Sequence, residues 1–516
     1  MELLAPAGNV EKLRFCYAYG ADAAYIGLKN FSLRVKADNF YEDEYKQVAA
    51  LKKAFPQKKL YCALNILFHN SELDRLVQEL PYFKCYPIDA FIVQDLGIVP
   101  LLQKEFPNAA LHLSTQASCI NREAVKMYRS LGFSRVVLGR EASLAEIAEI
   151  KNAVPDMELE CFVHGAMCIA YSGRCLMSAY VNGRSGQSGF CSHTCRWDYD
   201  VLIDPAELPG KFRIPDGSAQ KESCTTQNEA TSSQSQNTIG LHDANYARTL
   251  SQSGAMLLRE RQRPDEYFPV YEGEQFTAVL SSKDLCMVEH LADLKKAGVD
   301  SLKIEGRMKS VYYVAIVTQA YRKALDELNG TLLPGEARPF VQELYNVSHR
   351  PFSTGFFYNR TEADVTTHGE SHSPWQLAAL CGSRLSDQAM QDILRKGTEL
   401  QERRHAEYSA LIPKAQQAWN ERAQTQPDRY LPAVQEKSGW NMYQLEALNM
   451  IEATTELQLV LPGVASVPFL HEHFLLVNPG TGEVYRWVCA GHPCVIYTDH
   501  VLSDSAILRS HVEQQL

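Results

Sequence analysis

The sequence predicts an α/β chain built on a (β/α)8 TIM-like barrel, followed by a small C-terminal β domain. Three observations predict it. Short β-rich apolar runs alternate with amphipathic stretches of about ten to fifteen residues, the grammar of β/α units. The runs are continuously apolar, as strands buried on both faces of a parallel sheet are. No Gly-rich dinucleotide fingerprint follows the first run, which counts against the alternative of an open doubly wound sheet.

Seven strands are read in order: "ELLAPAG" from Glu2, "AAYIGL" from Ala23, "LYCALNI" from Leu60, "AFIVQD" from Ala90, "LHLSTQ" from Leu111, "RVVLGR" from Arg135 and "LECFVHG" from Leu159. An eighth, "SLKIEGR" from Ser301, follows "DLCMVEHLADLKKAG", read as a helix, and closes the set. "TAVLSS" near Thr277 is a candidate ninth. "VTQAYRKALDELNG" from Val317 is a helix stopped by Gly330, and the loop-like "HRPFSTGFFYNR" follows it. The barrel domain is therefore assigned residues 1–360.

Between strands seven and eight lie a cysteine segment, 161–197, and a polar insertion at about 205–265. The insertion contains "SAQKESCTTQNEATSSQSQNT", whose composition supports no core and is read as mobile. The second domain, 375–516, carries a charged helical insertion at about 385–430, then strand-like runs "LQLVLPG", "FLLVNPGTGEVYRWV" and "CVIYTDHV". "NPGTG" between apolar alternations signals a hairpin, and a small β-barrel-like portion is expected there.

Composition places the chain among soluble globular proteins, with 45% hydrophobic and 22% charged residues. The amino terminus does not read as a secretory signal, and no run approaches a membrane span, so the expected address is cytoplasmic, with no membrane. A formal net charge of −10 excludes a global basic field. Any RNA contact must use a local patch, and Arg174, Arg184 and Arg196 supply one in a segment without a single acid. A protein partner or oligomeric state is not legible.

That segment holds five of the fourteen cysteines. Reduced cytoplasmic thiols so clustered point to metal ligation or reactivity rather than disulfides. Six residues separate Cys168 from Cys175, fifteen separate Cys175 from Cys191, and three separate Cys191 from Cys195. Four converging thiolates suit an iron-sulfur cluster or a structural zinc, and the loose first pair favours the cluster because zinc knuckles are tighter. Unliganded buried thiols remain the third reading. Cys161, and with it Cys16, Cys62, Cys85 and Cys119, is read as a core thiol.

For the fourth ligand, Cys195 needs only the turn "SHT" to reach the metal beside Cys191, among cationic neighbours that favour a thiolate. Cys286 is the alternative, near the same mouth by its place after a strand, although an apolar helix face is its ordinary setting. Cys224 lies in the polar insertion, where holding it would cost ordering entropy.

The segment leaves the carboxy-terminal end of strand seven, the face on which barrels build active sites. Other polar residues at strand ends share that mouth: Asn65, Gln94, Asp95, Ser114, Gln116, Arg140, Glu141, His164, Glu305, Arg307 and Lys309. The plain reading of each is a barrel-layer hydrogen bond or a helix cap. Arg140, His164, Glu305 and Arg307 are singled out as catalytic because a cationic, proton-exchanging set suits an anionic small molecule beside RNA. Asn65, Gln116, Arg174 and Lys309 are the substrate-binding candidates. Metalloprotease and hydrolase signatures are absent: the nearest string to HExxH is "HEHF" at His471, and "GRSGQSG" does not spell a phosphate loop.

"ECFVHGAMCIAYSGRCLMS" and "SSKDLCMVEHLADLKKAGVDSLKIEGRMKSVYYVA", with "ELLAPAGN" and "GADAAYIGL", resemble the hallmarks of the collagenase-like peptidase U family over residues 1 to about 360. A weaker resemblance covers the carboxy-terminal domain. "CSHTCRW" and "VSHRPFSTGFF" are most similar to its prephenate-dependent tRNA uridine hydroxylase branch. The resemblance implies a β/α barrel, a [4Fe-4S] cluster, oxygen-independent hydroxylation of a wobble uridine of tRNA to 5-hydroxyuridine, and prephenate as a small anionic co-substrate. It carries over no proteolytic residues. The two insertions depart from the family pattern and leave substrate and partner details open. The alternatives are a collagenase-like protease and a zinc-stapled RNA-binding or scaffold protein.

Overall fold

The computed structural model describes residues 1–28, 31, 39–167, 172, 256–259, 267–272, 277–279, 282–358, 373–425, 431–452 and 455–512. Eight parallel strands close into a barrel: β1 Glu2–Pro6, β2 Ala23–Ile26, β3 Lys59–Leu64, β4 Ala90–Val93, β5 Ala110–Leu113, β6 Arg135–Val137, β7 Glu158–Ala166 and β8 Ser301–Ile304. Each strand pairs with the next, and β8 closes the ring by pairing with β7 (Ser301↔Glu160) and with β1 (Glu2↔Ser301). All eight barrel strands read from the sequence are present. Apolar residues on the outer side of the strands form one core with the surrounding helices, while Leu4, Ala23, Tyr25, Tyr61, Ala90 and Ile92 form a separate cluster.

The helices start where the sequence supplies side-chain caps. Asn9 Oδ1 accepts from the Lys12 N–H at 2.9 Å to open α1 (Val10–Ala18), and Ser143 with Glu146 makes a capping box for α6 (Leu144–Ala153). Each such cap is worth about 1 kcal/mol. Between these run α2 (Tyr45–Ala54), α3 (Asn70–Phe83), α4 (Val99–Glu105) and α5 (Arg122–Ser130). The short α7 (Leu291–Lys296) precedes β8, and α8 (Val311–Leu328) follows it. The first ten residues of α8, Val311 to Ala320, are all buried, because this helix lies between the barrel and the second domain. That double burial explains why "VYYVAIVTQA" is apolar almost all round. Gly330, in the left-handed region just past its end, stops it as expected.

Two expectations are corrected. Asp284–Cys286, read as the start of a helix, is a strand that pairs antiparallel with the end of β7 (Cys286↔His164) and parallel with Phe352–Ser353. Tertiary pairing to the overhanging end of β7 overrides the local helical pattern. The candidate ninth strand, Thr277–Val279, is a strand but not of the barrel: it belongs to a separate three-stranded antiparallel sheet with Tyr267–Glu272 and Met256–Arg259. Most of the polar insertion, residues 205–255, lies outside the described residues. Cys16, Cys62, Cys119 and Cys161 are buried as read, whereas Cys85 is exposed just past the end of α3.

In the second domain, α9 (Asp387–Ser409) and α10 (Pro413–Thr425) occupy the charged stretch. A seven-stranded antiparallel sheet runs in the order Val467–Phe469, Leu457–Val460, Ile507–His511, Trp375–Arg384, Asn441–Ala447, Cys494–Thr498, Phe474–Val477. The "NPGTG" turn closes as a hairpin, with an antiparallel bridge Val477↔Val484. This domain docks on α8 and on the helical turn before Ser348. Arg509, 1% exposed, donates to both oxygens of Glu343, at 3.0 Å to Oε1, and to the Tyr312 hydroxyl at 2.7 Å. Tyr19 donates its hydroxyl to the carbonyl of Ser505 at 2.9 Å, adding a polar pin beside α1.

Candidate active site

Because side chains alternate along a strand, Glu158, Glu160 and Phe162 of β7 share one face, as do Ser301 and Lys303 of β8. That face lines the barrel interior. Glu160, fully buried, takes Lys303 Nζ at 2.7 Å, the Arg135 guanidinium at 3.0 Å and the Ser301 hydroxyl at 3.1 Å. Arg135 also reaches Glu2 at 2.5 Å and Glu158 at 2.8 Å. Burial alone would raise the Glu160 carboxyl, but Lys303 and Arg135 overcome it and hold the group down at about 2. His112, edge-on to the Tyr61 ring, is pushed down to about 3 by burial and by the nearby Arg135.

Above this layer the interior turns cationic and aromatic. Lys303 Nζ lies 4.7 Å from the Tyr25 ring centroid and 5.5 Å from that of Phe162. The Arg140 guanidinium, at the end of β6, lies 4.0 Å from the Phe162 centroid. Phe162 thus carries two cations, each attracted by its quadrupole. Among the described residues no carboxylate comes within ion-pair distance of Arg140, so the group stands half-buried at the mouth with its N–H edge unclaimed by an acid.

Ser172 fixes the cysteine segment to this rim. Its N–H donates to Glu141 Oε1 at 2.7 Å, its hydroxyl accepts from the Arg140 N–H at 3.3 Å, and its carbonyl accepts from the Ser118 hydroxyl. Ser172 therefore sits against the loops that follow β5 and β6. Cys168, Cys175, Cys191 and Cys195, with Arg174, lie outside the described residues.

The other expected residues divide between the mouth and its wall. Asn65 follows β3 and Gln116 sits in the turn after β5, both half-buried at the mouth. Glu305 is half-buried beyond β8, and its carbonyl accepts the Tyr313 hydroxyl at 3.1 Å. Arg307 is 3% exposed, so its guanidinium belongs to the wall rather than the open rim. Lys309 donates to the Ser348 carbonyl at 3.2 Å and lies 5.2 Å from the Tyr313 ring. Asp95 and Ser114 act as caps, accepting from Gly97 and Gln116 N–H groups.

His164 does not join the interior set. The register slips between Lys303↔Phe162 and Ile304↔His164, a bulge in β7 that turns His164 toward α8. There it contacts Tyr313, Tyr321 and Phe352, with ring centroids 5.4–6.0 Å away, and burial pushes it down to about 3. Its imidazole is neutral at physiological pH. Gly165 and Gly306 permit this turn. Both have positive φ, and a Cβ at either would come within 3.0 Å of the Tyr313 side chain. Cys286 is partly exposed, 3.9 Å from the Tyr321 hydroxyl, and burial raises its thiol to about 11. Sequence reasoning missed Phe162, Glu160, Lys303 and Ser172. The signal for the first three was the period-2 spacing of charge within apolar strands.

A family model described as peptidase family U32 matches residues 8–367. The chain belongs to that family. It is 38% identical over 72% of its length, and 78% of the relative's, to tRNA hydroxylation protein P of Escherichia coli. It is 37% identical, over 72% of this chain and 77% of the relative, to the protein of the same name from Haemophilus influenzae. A third relative, the 23S rRNA 5-hydroxycytidine C2501 synthase of Escherichia coli, is 30% identical over 71% of this chain and 46% of its own length. The matched span takes in every barrel strand from β2 to β8 together with the rim that carries Arg140 and Ser172.

Proposed function

We propose that this chain is an RNA-modifying hydroxylase that acts on tRNA, converting a wobble uridine to 5-hydroxyuridine. The observation that carries the reading is the similarity over most of the chain to proteins named for tRNA hydroxylation. The mouth is consistent with it: an acidic protein presents a local cationic and aromatic surface there, the form that phosphate and base contacts require.

Cys168, Cys175, Cys191 and Cys195 would hold a [4Fe-4S] cluster. The donor set fits, because four thiolates occur in a stretch that begins two residues past the end of β7 and is tied to the rim at Ser172. Such a cluster, when bound, would supply electron transfer. Arg140, stacked on Phe162, offers paired N–H donors to the carboxylate of a prephenate-like donor or to a phosphate. Asn65 and Gln116 supply neutral hydrogen-bonding groups on the same rim, Lys309 and the buried Arg307 add positive charge in the adjoining wall, and Arg174 is a further cationic candidate by its place in the sequence. Glu305 positions α8 through the Tyr313 hydroxyl.

Deleting the gene and measuring tRNA nucleosides by mass spectrometry tests the reading. Loss of 5-hydroxyuridine-derived nucleosides, restored by the wild-type gene and not by Cys168→Ser, is expected. An unchanged profile overturns it, and collagen cleavage by the purified protein would install the protease in its place. Iron and sulfide analysis after anaerobic purification separates a cluster from zinc. Normal loading in Cys195→Ser with loss in Cys286→Ser would move the fourth ligand to Cys286.

A further inference from the structure

Far along the chain from the mouth, three side chains of the second domain converge. His473 precedes the strand Phe474–Val477, and Asp499 and His500 follow the strand Cys494–Thr498. These strands pair antiparallel with Phe474 opposite Thr498, which brings the three residues to one sheet end. Asp499 Oδ2 lies 2.9 Å from His473 Nδ1, and Asp499 Oδ1 lies 2.7 Å from His500 Nδ1. One nitrogen or oxygen from each residue falls within a 4.8 Å circle.

We propose that His473, Asp499 and His500 form a binding site for a divalent transition-metal cation. Two imidazoles and a carboxylate are the donor set that borderline cations such as zinc, cobalt and nickel prefer over the all-oxygen sites of calcium or magnesium. The ligands are held before any ion arrives. The His500 ring stands edge-on to Phe469 at 5.1 Å, and Phe469, fully buried, stacks on Phe474 at 5.0 Å. Glu472 Oε1 lies 3.7 Å from His473 Nε2, beyond hydrogen-bond distance but near enough to add negative charge beside the site. The His500 N–H donates to the Thr498 hydroxyl at 3.1 Å, which fixes the backbone at the turn.

All three side chains remain about one third exposed. Water therefore fills the remaining coordination positions, and the bound ion is exchangeable. Uptake at Nδ1 moves the single proton of each neutral imidazole to Nε2, so the ion replaces the hydrogen bonds to Asp499.

Cobalt(II) titration of the full-length protein tests the site. One equivalent is expected to give weak visible bands without the near-ultraviolet charge transfer of thiolate ligation, which separates it from any metal held by the cysteine segment. His473→Ala and His500→Ala should each weaken that equivalent at least tenfold. His473→Gln, which keeps a hydrogen bond to Asp499, guards against a loss of fold, and far-UV circular dichroism checks all variants. Wild type and variants with equal stoichiometry and affinity would overturn the proposal, as would failure of the wild type to bind at millimolar cobalt.

Discussion

Lys303 Nζ and Glu160 Oε1 stand 2.7 Å apart inside the barrel, and neither side chain is more than 5% exposed. Breaking a buried pair strands the surviving charge, at a cost of about 3–5 kcal/mol. Glu160→Ala strips Lys303 of its carboxylate and Arg135 of one of its three, so the unfolding free energy from urea denaturation should fall by that amount. A loss below about 1 kcal/mol would show that the network relaxes around water.

Acid should loosen the barrel earlier than carboxylate titration alone would. His164 and His112 are depressed from the ordinary 6.5 to about 3, so between those values the unfolded chain binds protons that the folded chain refuses. Their contribution is complete above pH 6.5 and is lost as the pH falls toward 3, at about 1.4 kcal/mol per pH unit for each group. Glu160, held at about 2 against an ordinary 4.5, adds loss in the same direction below pH 4.5. Chemical denaturation between pH 7 and 4 should show the decline, and His164→Phe should flatten its upper part.

The Arg509 and Glu343 pair clamps the second domain to the barrel side. Arg509→Met should cost about 3 kcal/mol and let the two domains melt apart. Calorimetry would then resolve two transitions where the wild type gives one. A single transition at an unchanged temperature would count against the clamp.

Arg140→Ala removes the cation from the Phe162 ring without touching a buried acid. Hydroxylation should fall by about tenfold or more, with a shallower dependence of tRNA binding on salt. Arg140→Lys should restore only part, because a two-pronged contact is lost. Full activity in Arg140→Ala would remove this residue from the site.

The barrel was legible in the sequence because its strands are short, apolar and separated by well-capped helices. Ser143, Asn121 and Ser310 all cap as residues of their type do. Asp284–Cys286 was misread because its partner, the overhanging end of β7, is remote in sequence, and a helix pattern of three residues carries little weight against an open edge. The strand-end rule brought Arg140, Asn65 and Gln116 to the mouth. It failed to foresee that a one-residue slip near Val163 would swing His164 out toward α8, because bulges have no period to betray them. Trp375–Arg384, central in the second sheet, went unread: "WQLAALCGSR" alternates too weakly to announce a strand.

Closure by β8 sets an order of events during synthesis. β1 and β7 must both wait for it, and roughly 130 residues separate the end of β7 from its start. At bacterial and eukaryotic elongation rates of about 5–20 residues per second, a nascent chain would hold seven strands with two raw edges for roughly 7–26 seconds. Unpaired edges of that kind recruit other strands. The nine-residue β7 shortens the hazard, since Asp284–Cys286 emerges before β8 and covers the far end of one edge. This small pairing persists in the finished ring, where it covers the end of β7 that β8 does not reach.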